Sequence, residues 1–133
     1  MGRSRTRPRR GLTLDAGALV AVDRGVREVQ VLLQQAVRRE LPISVPAGVL
    51  GQAWRDGRTQ VRLSRFLSAR GLAIVPLDDR AARAAGQLCG ATRTSDVIDA
   101  SVVLCARTRG DQIMTSDPDD LRRLDPDVAL VVV

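Results

Sequence analysis

The sequence has no histidine, no lysine and no tyrosine. Without histidine there can be no Ser-His-Asp triad, no Cys-His pair and no imidazole metal site. The lack of lysine excludes Schiff-base chemistry. Two cysteines, Cys89 and Cys105, are too few for a Cys-rich zinc site. Each falls in an apolar helical pattern, so both are expected to be buried structural thiols. Aromatic residues are almost absent: Trp54 and Phe66 are the whole set. They cannot build a platform on which successive bases stack. No apolar run approaches the roughly 18 residues of a membrane span. Asp15 interrupts the first apolar stretch, which therefore does not read as a signal segment. The expected location is the cytoplasm.

What remains for chemistry is carboxylates, hydroxyls, amides and arginines. A length of 133 residues suits one domain, and 44% hydrophobic with 27% charged residues is ordinary for a folded protein. The net charge of +6 is unevenly spread. Arg3, Arg5, Arg7, Arg9 and Arg10 precede the first apolar segment; setting them aside leaves 16 basic against 15 acidic residues, or +1. Residues 1–11 thus read as a basic arm, expected to be disordered. It either grips phosphate backbones by charge or is a plain tail.

From residue 12 onward, short apolar runs alternate with amphipathic stretches. Strands are expected at 12–14, 43–45, 72–75, 112–115 and 129–133. Helices are expected around 18–22, then at 26–39, 47–54, 59–69, 79–88, 96–107 and 119–124, with Asp79 and Ser95 as N-caps. This alternation predicts an α/β domain over 12–133: three layers, α/β/α, around a largely parallel sheet of about five strands.

Several acids fall at one end of such a sheet. Asp15 follows the first strand and opens a helix, and Asp117 follows the fourth strand. Asp96 and Asp99 share the first turn of a helix at i, i+3 spacing. Ligands in parallel α/β sheets gather beyond the carboxyl ends of the strands. Clustered there, these carboxylates would repel one another by about 4 kcal/mol per pair at ~4 Å and an effective dielectric of ~20. A divalent cation relieves that repulsion and can activate water for attack on a phosphodiester. The plainer reading is that Asp96 is an N-cap and that Asp117-Pro118-Asp119-Asp120 is turn and cap chemistry.

Three segments bear on these readings: Leu12-Thr13-Leu14-Asp15-Ala16-Gly17-Ala18-Leu19, Asp99-Ala100-Ser101-Val102-Val103 continuing to Gly110, and Met114-Thr115-Ser116-Asp117. In this order the chain resembles the PIN-domain family, and within it the VapC-like toxins of bacterial toxin–antitoxin pairs. The resemblance runs from Leu12 to Val133. It implies a PIN fold, metal-dependent endoribonuclease activity with Mg²⁺ or Mn²⁺, a small VapB-like antitoxin partner and a homodimer. Carried over by position, Asp15, Asp99 and Asp117 would hold the metal, with Asp96 as an auxiliary acid. Thr115 and Ser116 would orient water or phosphate.

One position departs from the family. Its second acid is usually a Glu on the helix after the second strand, where this chain has Gln52 in Val49-Leu50-Gly51-Gln52-Ala53-Trp54-Arg55. An amide keeps a carbonyl acceptor but cannot act as a carboxylate base. Asp96 would restore the missing charge; otherwise the protein is a PIN-fold module that binds RNA or a partner without cutting. A nuclease acting on DNA is the third reading. Arg55, Arg58, Arg62 and Arg65 lie together between the second and third strands, the last three at i, i+4, i+7 spacing. They read as a solvated helix face, as a rim that guides RNA phosphates, or as an antitoxin-docking surface. The helix at 26–37 could likewise use its apolar side for dimerisation or for the core.

Overall fold

A computed structural model of the chain describes residues 10–133. Five strands form a single, wholly parallel sheet: β1 (Leu12–Leu14), β2 (Ile43–Pro46), β3 (Leu72–Val75), β4 (Gln112–Thr115) and β5 (Leu130–Val132). Seven helices connect them: α1 (Ala16–Asp23), α2 (Arg27–Arg38), α3 (Ala47–Ala53), α4 (Val61–Leu67), α5 (Asp79–Thr92), α6 (Val97–Arg109) and α7 (Pro118–Leu124). The helix α1 packs on β1 and β4 and carries α2, α3 and α4, while α6 packs across β1, β2 and β4 and carries α5 and α7. The layers are therefore α/β/α, as the alternation of runs predicts.

The strand order is β3-β2-β1-β4-β5. From β1 the chain builds outward through β2 to β3, then returns to β1's other side for β4 and β5. The β1–β4 pair is thus the point where the strand order reverses, with Leu12, Thr13 and Leu14 opposite Gln112, Ile113 and Met114. Chains leaving these two strands diverge, which opens a crevice beyond their carboxyl ends. The central strands are buried on both sides, as parallel strands under two helical layers must be. Leu14, Ile43, Val45, Ile113 and Met114 form the centre of the core with Leu19, Val29, Val49, Val102 and Val103. Cys89 and Cys105 are free and buried, as expected. No described helix is long and apolar enough to cross a membrane.

Two caps differ from the expectation. The N-cap of α5 is Asp78, whose carboxylate accepts from Ala81 N at 2.9 Å; Asp79 lies in the first turn. The N-cap of α6 is Asp96, the plainer of the two readings of that residue, and not Ser95; its Oδ1 accepts from Asp99 N at 2.9 Å. In both places adjacent polar residues compete for one cap, and their types alone do not rank them. The helix expected at 59–69 is also shorter, because Gln60 turns inward instead. Its amide accepts from Arg55 N and Asp56 N and donates to Ala53 O, pinning the α3–α4 connection. Residues 1–9 of the arm expected at 1–11 lie outside the described residues, whereas its last residue is part of the fold. Gly11 is buried, and its carbonyl accepts from Gln112 N at 3.2 Å.

Leu14 is fully buried where β1 meets both helical layers. Leu14→Ala is expected to cost about 3 kcal/mol of stability, read as a lower urea midpoint at unchanged slope.

Candidate active site

Asp15 follows β1 directly and does two things at once. Its Oδ1 accepts from Ala18 N at 2.9 Å as the N-cap of α1, and its Oδ2 accepts from the Thr115 hydroxyl at the end of β4. Only 5% of the residue is exposed. Burial pushes its carboxyl pKa up; the Thr115 hydroxyl and the Ala18 and Gly17 amides pull the other way. Thr115 is itself buried, and its oxygen also accepts from Asp117 N at 2.8 Å. One hydroxyl therefore ties the end of β1 to the first residue beyond β4. Its single proton is committed to Asp15, so Thr115 positions the acids from within the protein. Ser116 is exposed, with its Oγ 2.3 Å from where a Cβ on Gly17 would stand. Glycine at 17 leaves room for the Ser116 hydroxyl in this rotamer.

Asp117 occupies the N-cap position of α7, but its side chain makes no capping bond. Pro118 at the first helical position has no N–H to satisfy, and the carboxylate stays at the surface. Its pKa is raised by a hydrogen bond with Asp120 and then by the charge of Asp120, with smaller effects from burial, Asp15 and Asp119. Asp99 is half-buried in the first turn of α6. Its pKa rises to about 7, mainly through burial, then through the charges of Asp96 and Asp15, a hydrogen bond with Asp96, and the charge of Asp120. Asp96, Asp99 and Asp120 line one cleft of about 480 Å³ together with Thr92 to Ser95, Arg123 and Leu124. Asp15, Asp96, Asp99 and Asp117 thus belong to one electrostatic neighbourhood.

Asp120 is the member that spacing arguments left as cap chemistry. It lies three residues after Asp117, on the same face of α7, and acts on both Asp117 and Asp99. The i, i+3 relation to Asp117 was the available signal; the link to Asp99 requires the packing of α7 on α6.

The remaining sequence candidates are placed elsewhere or less closely. Gln52 is exposed on α3, and its amide has no hydrogen bond among the described residues. It lies one turn beyond Gly48, where a Cβ would collide with Ile98 Cδ1 at 2.3 Å. Gly48 on α3 and Ile98 on α6 thus lie against each other where the two helices meet. The arginines between β2 and β3 do not form one stripe. Arg55 folds back onto the carbonyls of Gly51 and Trp54, and Arg58 pairs with Asp56 at 3.4 Å. Arg62 and Arg65 turn toward a groove of about 530 Å³ beside α1 and α2, lined also by Val22, Leu33, Val37 and Phe66. The i, i+4, i+7 spacing fails because Arg58 precedes the helix, which starts at Val61.

The donor set is all oxygen, which suits a hard cation such as Mg²⁺ rather than a thiophilic metal. Among the described residues, no three Asp, Glu, Cys or His side chains stand ready as a metal cage. Mg²⁺ does not require one, since it commonly keeps several waters and takes one or two carboxylates plus substrate phosphate.

The PIN domain profile matches residues 12–126. The chain belongs to the PIN-domain family. No curated protein matches it in sequence. Its fold is similar to those of several solved structures, three of which follow. VapBC2 from Rickettsia felis, bound to a promoter DNA fragment, aligns at TM-score 0.68 and 16% identity, covering 91% of this chain and 97% of that one. FitAB bound to the IR36 DNA fragment gives 0.62 and 13%, covering 91% and 94%. FitAcB from Neisseria gonorrhoeae gives 0.62 and 15%, covering 90% and 95%. PIN domains are generally nucleases, and the acids gathered at this PIN domain's sheet switch point accord with that chemistry.

The elevated Asp99 pKa fixes a sign. Its carboxyl binds a proton more tightly in the folded protein, so stability falls as pH rises from about 4 through about 7. Asp99→Asn, neutral at every pH, is expected to match the natural protein near pH 4. In chelator at pH 8 it should be more stable by about 1–2 kcal/mol, a figure reduced for the group's partial exposure. Melting curves at the two pH values measure the difference.

Proposed function

We propose that this PIN domain is a metal-dependent endoribonuclease of the VapC toxin type, cutting RNA at the acidic crevice beyond β1 and β4. The observation that carries this reading is the mutual destabilisation of the acids. Asp99 is driven to a pKa of about 7 by burial and by Asp96, Asp15 and Asp120. A site that holds several carboxylates against their own repulsion stores free energy that a cation recovers on binding. Asp15, Asp99 and Asp117 would hold Mg²⁺ or Mn²⁺. When bound, the cation would supply an activated water and charge neutralisation at the phosphodiester.

The chain's own residues do the rest. Thr115 fixes Asp15 in orientation by donating to Oδ2. The amides at the start of α1 hold the other carboxylate oxygen. Asp96 orients the first turn of α6 and adds charge beside Asp99. Exposed Ser116, seated over Gly17, is placed to hydrogen-bond a water or phosphate oxygen. VapBC2 and FitAB, the similar complexes, contain an antitoxin and DNA, which supports a small antitoxin as partner here as well. The groove beside α1 and α2, lined by Val22, Leu33, Val37 and Phe66 together with Arg38, Arg62 and Arg65, suits an apolar peptide with acidic flanks. A homodimer and a cytoplasmic location complete the proposal.

The test is cleavage of a labelled RNA pool with Mg²⁺, with Mn²⁺ and with chelator. Asp15→Asn and Asp99→Asn should each reduce metal-dependent cleavage by about a hundredfold or more, the loss of several kcal/mol of charge stabilisation. Unchanged cleavage in both variants, or cleavage indifferent to chelator, sinks the reading. Running single-stranded and duplex DNA alongside separates a ribonuclease from a nuclease acting on DNA.

One observation favours a second reading. Gln52 stands where the family usually has Glu, exposed and without a hydrogen bond among the described residues. On this reading the protein binds RNA or a partner and does not cut. Gln52→Glu then becomes the informative variant. Cleavage by Gln52→Glu but not by the natural protein means a PIN scaffold disarmed at one position; equal cleavage by both means Gln52 costs nothing.

A further inference from the structure

The acidic cleft contains two cations that the carboxylate argument leaves unused. The connection between α5 and α6 supplies Thr92, Arg93, Thr94, Ser95 and Asp96 to the cleft, and α7 supplies Asp120, Arg123 and Leu124. Asp99, on α6, lines it as well. Arg93 stands on the α5–α6 side and Arg123 on the α7 side.

Arg93 is unusual in two respects. It is the C-cap of α5 in the left-handed conformation, φ 56° and ψ 42°. Position 110 plays the same part for α6 and is glycine, φ 69°. A left-handed backbone is costly for any residue with a Cβ, and glycine is the usual solution at a helix end. Arg93 keeps a side chain there at that cost. The side chain is exposed and makes no ion pair or hydrogen bond among the described residues, so none of them uses its charge. Most arginines near an acid are engaged: Arg58 with Asp56, Arg83 with Asp79, Arg107 with Asp125, Arg122 with Asp119. Arg123 has only a long 3.9 Å approach to Asp120, and its side chain is largely exposed. Such a pair is worth little and is readily exchanged for a phosphate.

A polynucleotide entering this cleft faces the three carboxylates of Asp96, Asp99 and Asp120. One divalent cation offsets two charges. The strand's own phosphates then still face net repulsion unless cations flank the acids. We infer that Arg93 and Arg123 are the strand-positioning residues of this site, gripping backbone phosphates on either side of the phosphodiester presented to the acids. The Thr92 hydroxyl is committed to Leu88 O and holds that of Thr94 at 3.1 Å, which leaves the exposed Ser95 hydroxyl on the Arg93 side to take a further phosphate or ribose oxygen. The inference rests on that part of the proposed function which places RNA in the acidic cleft, whether or not the strand is cut there. It assigns substrate contact to the α5–α6 connection and α7, and away from Arg55, Arg58 and Arg62.

The experiment is binding of a fluorescein-labelled single-stranded RNA to the full chain over a range of NaCl concentrations, with Ca²⁺ replacing Mg²⁺. Arg93→Gly and Arg123→Ala should each weaken binding about tenfold and each lower the salt slope by about 0.7, the value for one lost phosphate contact on a single strand. Arg83→Ala, which breaks the exposed Asp79 pair on α5, should change neither. Arg93→Gly should also melt a few degrees higher, because glycine relieves the left-handed cap; weakened binding then cannot be blamed on unfolding. Salt slopes unchanged in Arg93→Gly and Arg123→Ala overturn the inference, even if the natural protein cuts RNA. Arginine-dependent binding without cleavage under Mg²⁺ or Mn²⁺ supports it and removes the nuclease reading instead. Absence of any RNA binding removes both.

Discussion

The rest of the structure depends on the parallel pairing of β1 with β4. Each strand is short, three and four residues, and neither would persist alone. Paired at the centre of the sheet, they reverse the strand order and open a crevice where two chain segments leave in different directions. The pairing brings Asp15 to the Thr115 hydroxyl across 100 residues of sequence. That contact is at once a satisfied buried hydrogen bond, a brake on the rise of the Asp15 pKa and the anchor that seats Asp117 through its amide. A site built this way is stiff at its base, and its acids can be held close because the sheet will not yield.

Three helices begin at this end with an aspartate: α1 after Asp15, α6 after Asp96 and α7 after Asp117. Helix N-termini favour negative charge, which offsets part of the cost of gathering acids. The offset is incomplete, as the elevated Asp99 pKa shows. Asp15 and Asp96 accept backbone N–H bonds as caps, whereas Asp117 makes none and Asp99 is crowded by neighbouring charge. The site therefore separates into acids that are structurally committed and acids whose charge is poorly compensated. Functional sites commonly keep that division, holding a local instability within a stable frame.

Much of this was legible in the chain. Strand positions were readable because Val, Ile and Leu runs are bounded by Pro46, Pro76, Gly71 and Gly110, residues that end elements for steric reasons. Asp15 and Asp117 could be placed because the first acid after a buried parallel strand lands at the same end of the sheet whatever the helices do. Where neighbours competed, the chain was less informative. Asp78 against Asp79, and Asp96 against Ser95, differ in no local property that decides which one caps. The arginine stripe failed because its spacing presumed a helix through 58–65, and the inward turn of Gln60 delays that helix to Val61.

The sequence by itself determined the available chemistry: no imidazole, no amine, carboxylates and arginines in quantity, and an alternation that admits a parallel α/β sheet. These follow from composition and local period, which need no partner. Tertiary structure alone decided which charges meet. Asp120 joins Asp99 because α7 packs on α6. Arg93 and Arg123 reach the cleft while Arg62 and Arg65 turn to the far groove. Electrostatic neighbourhood depends on distance through space, and residues far apart in the chain acquire it only when the sheet and its helices have closed.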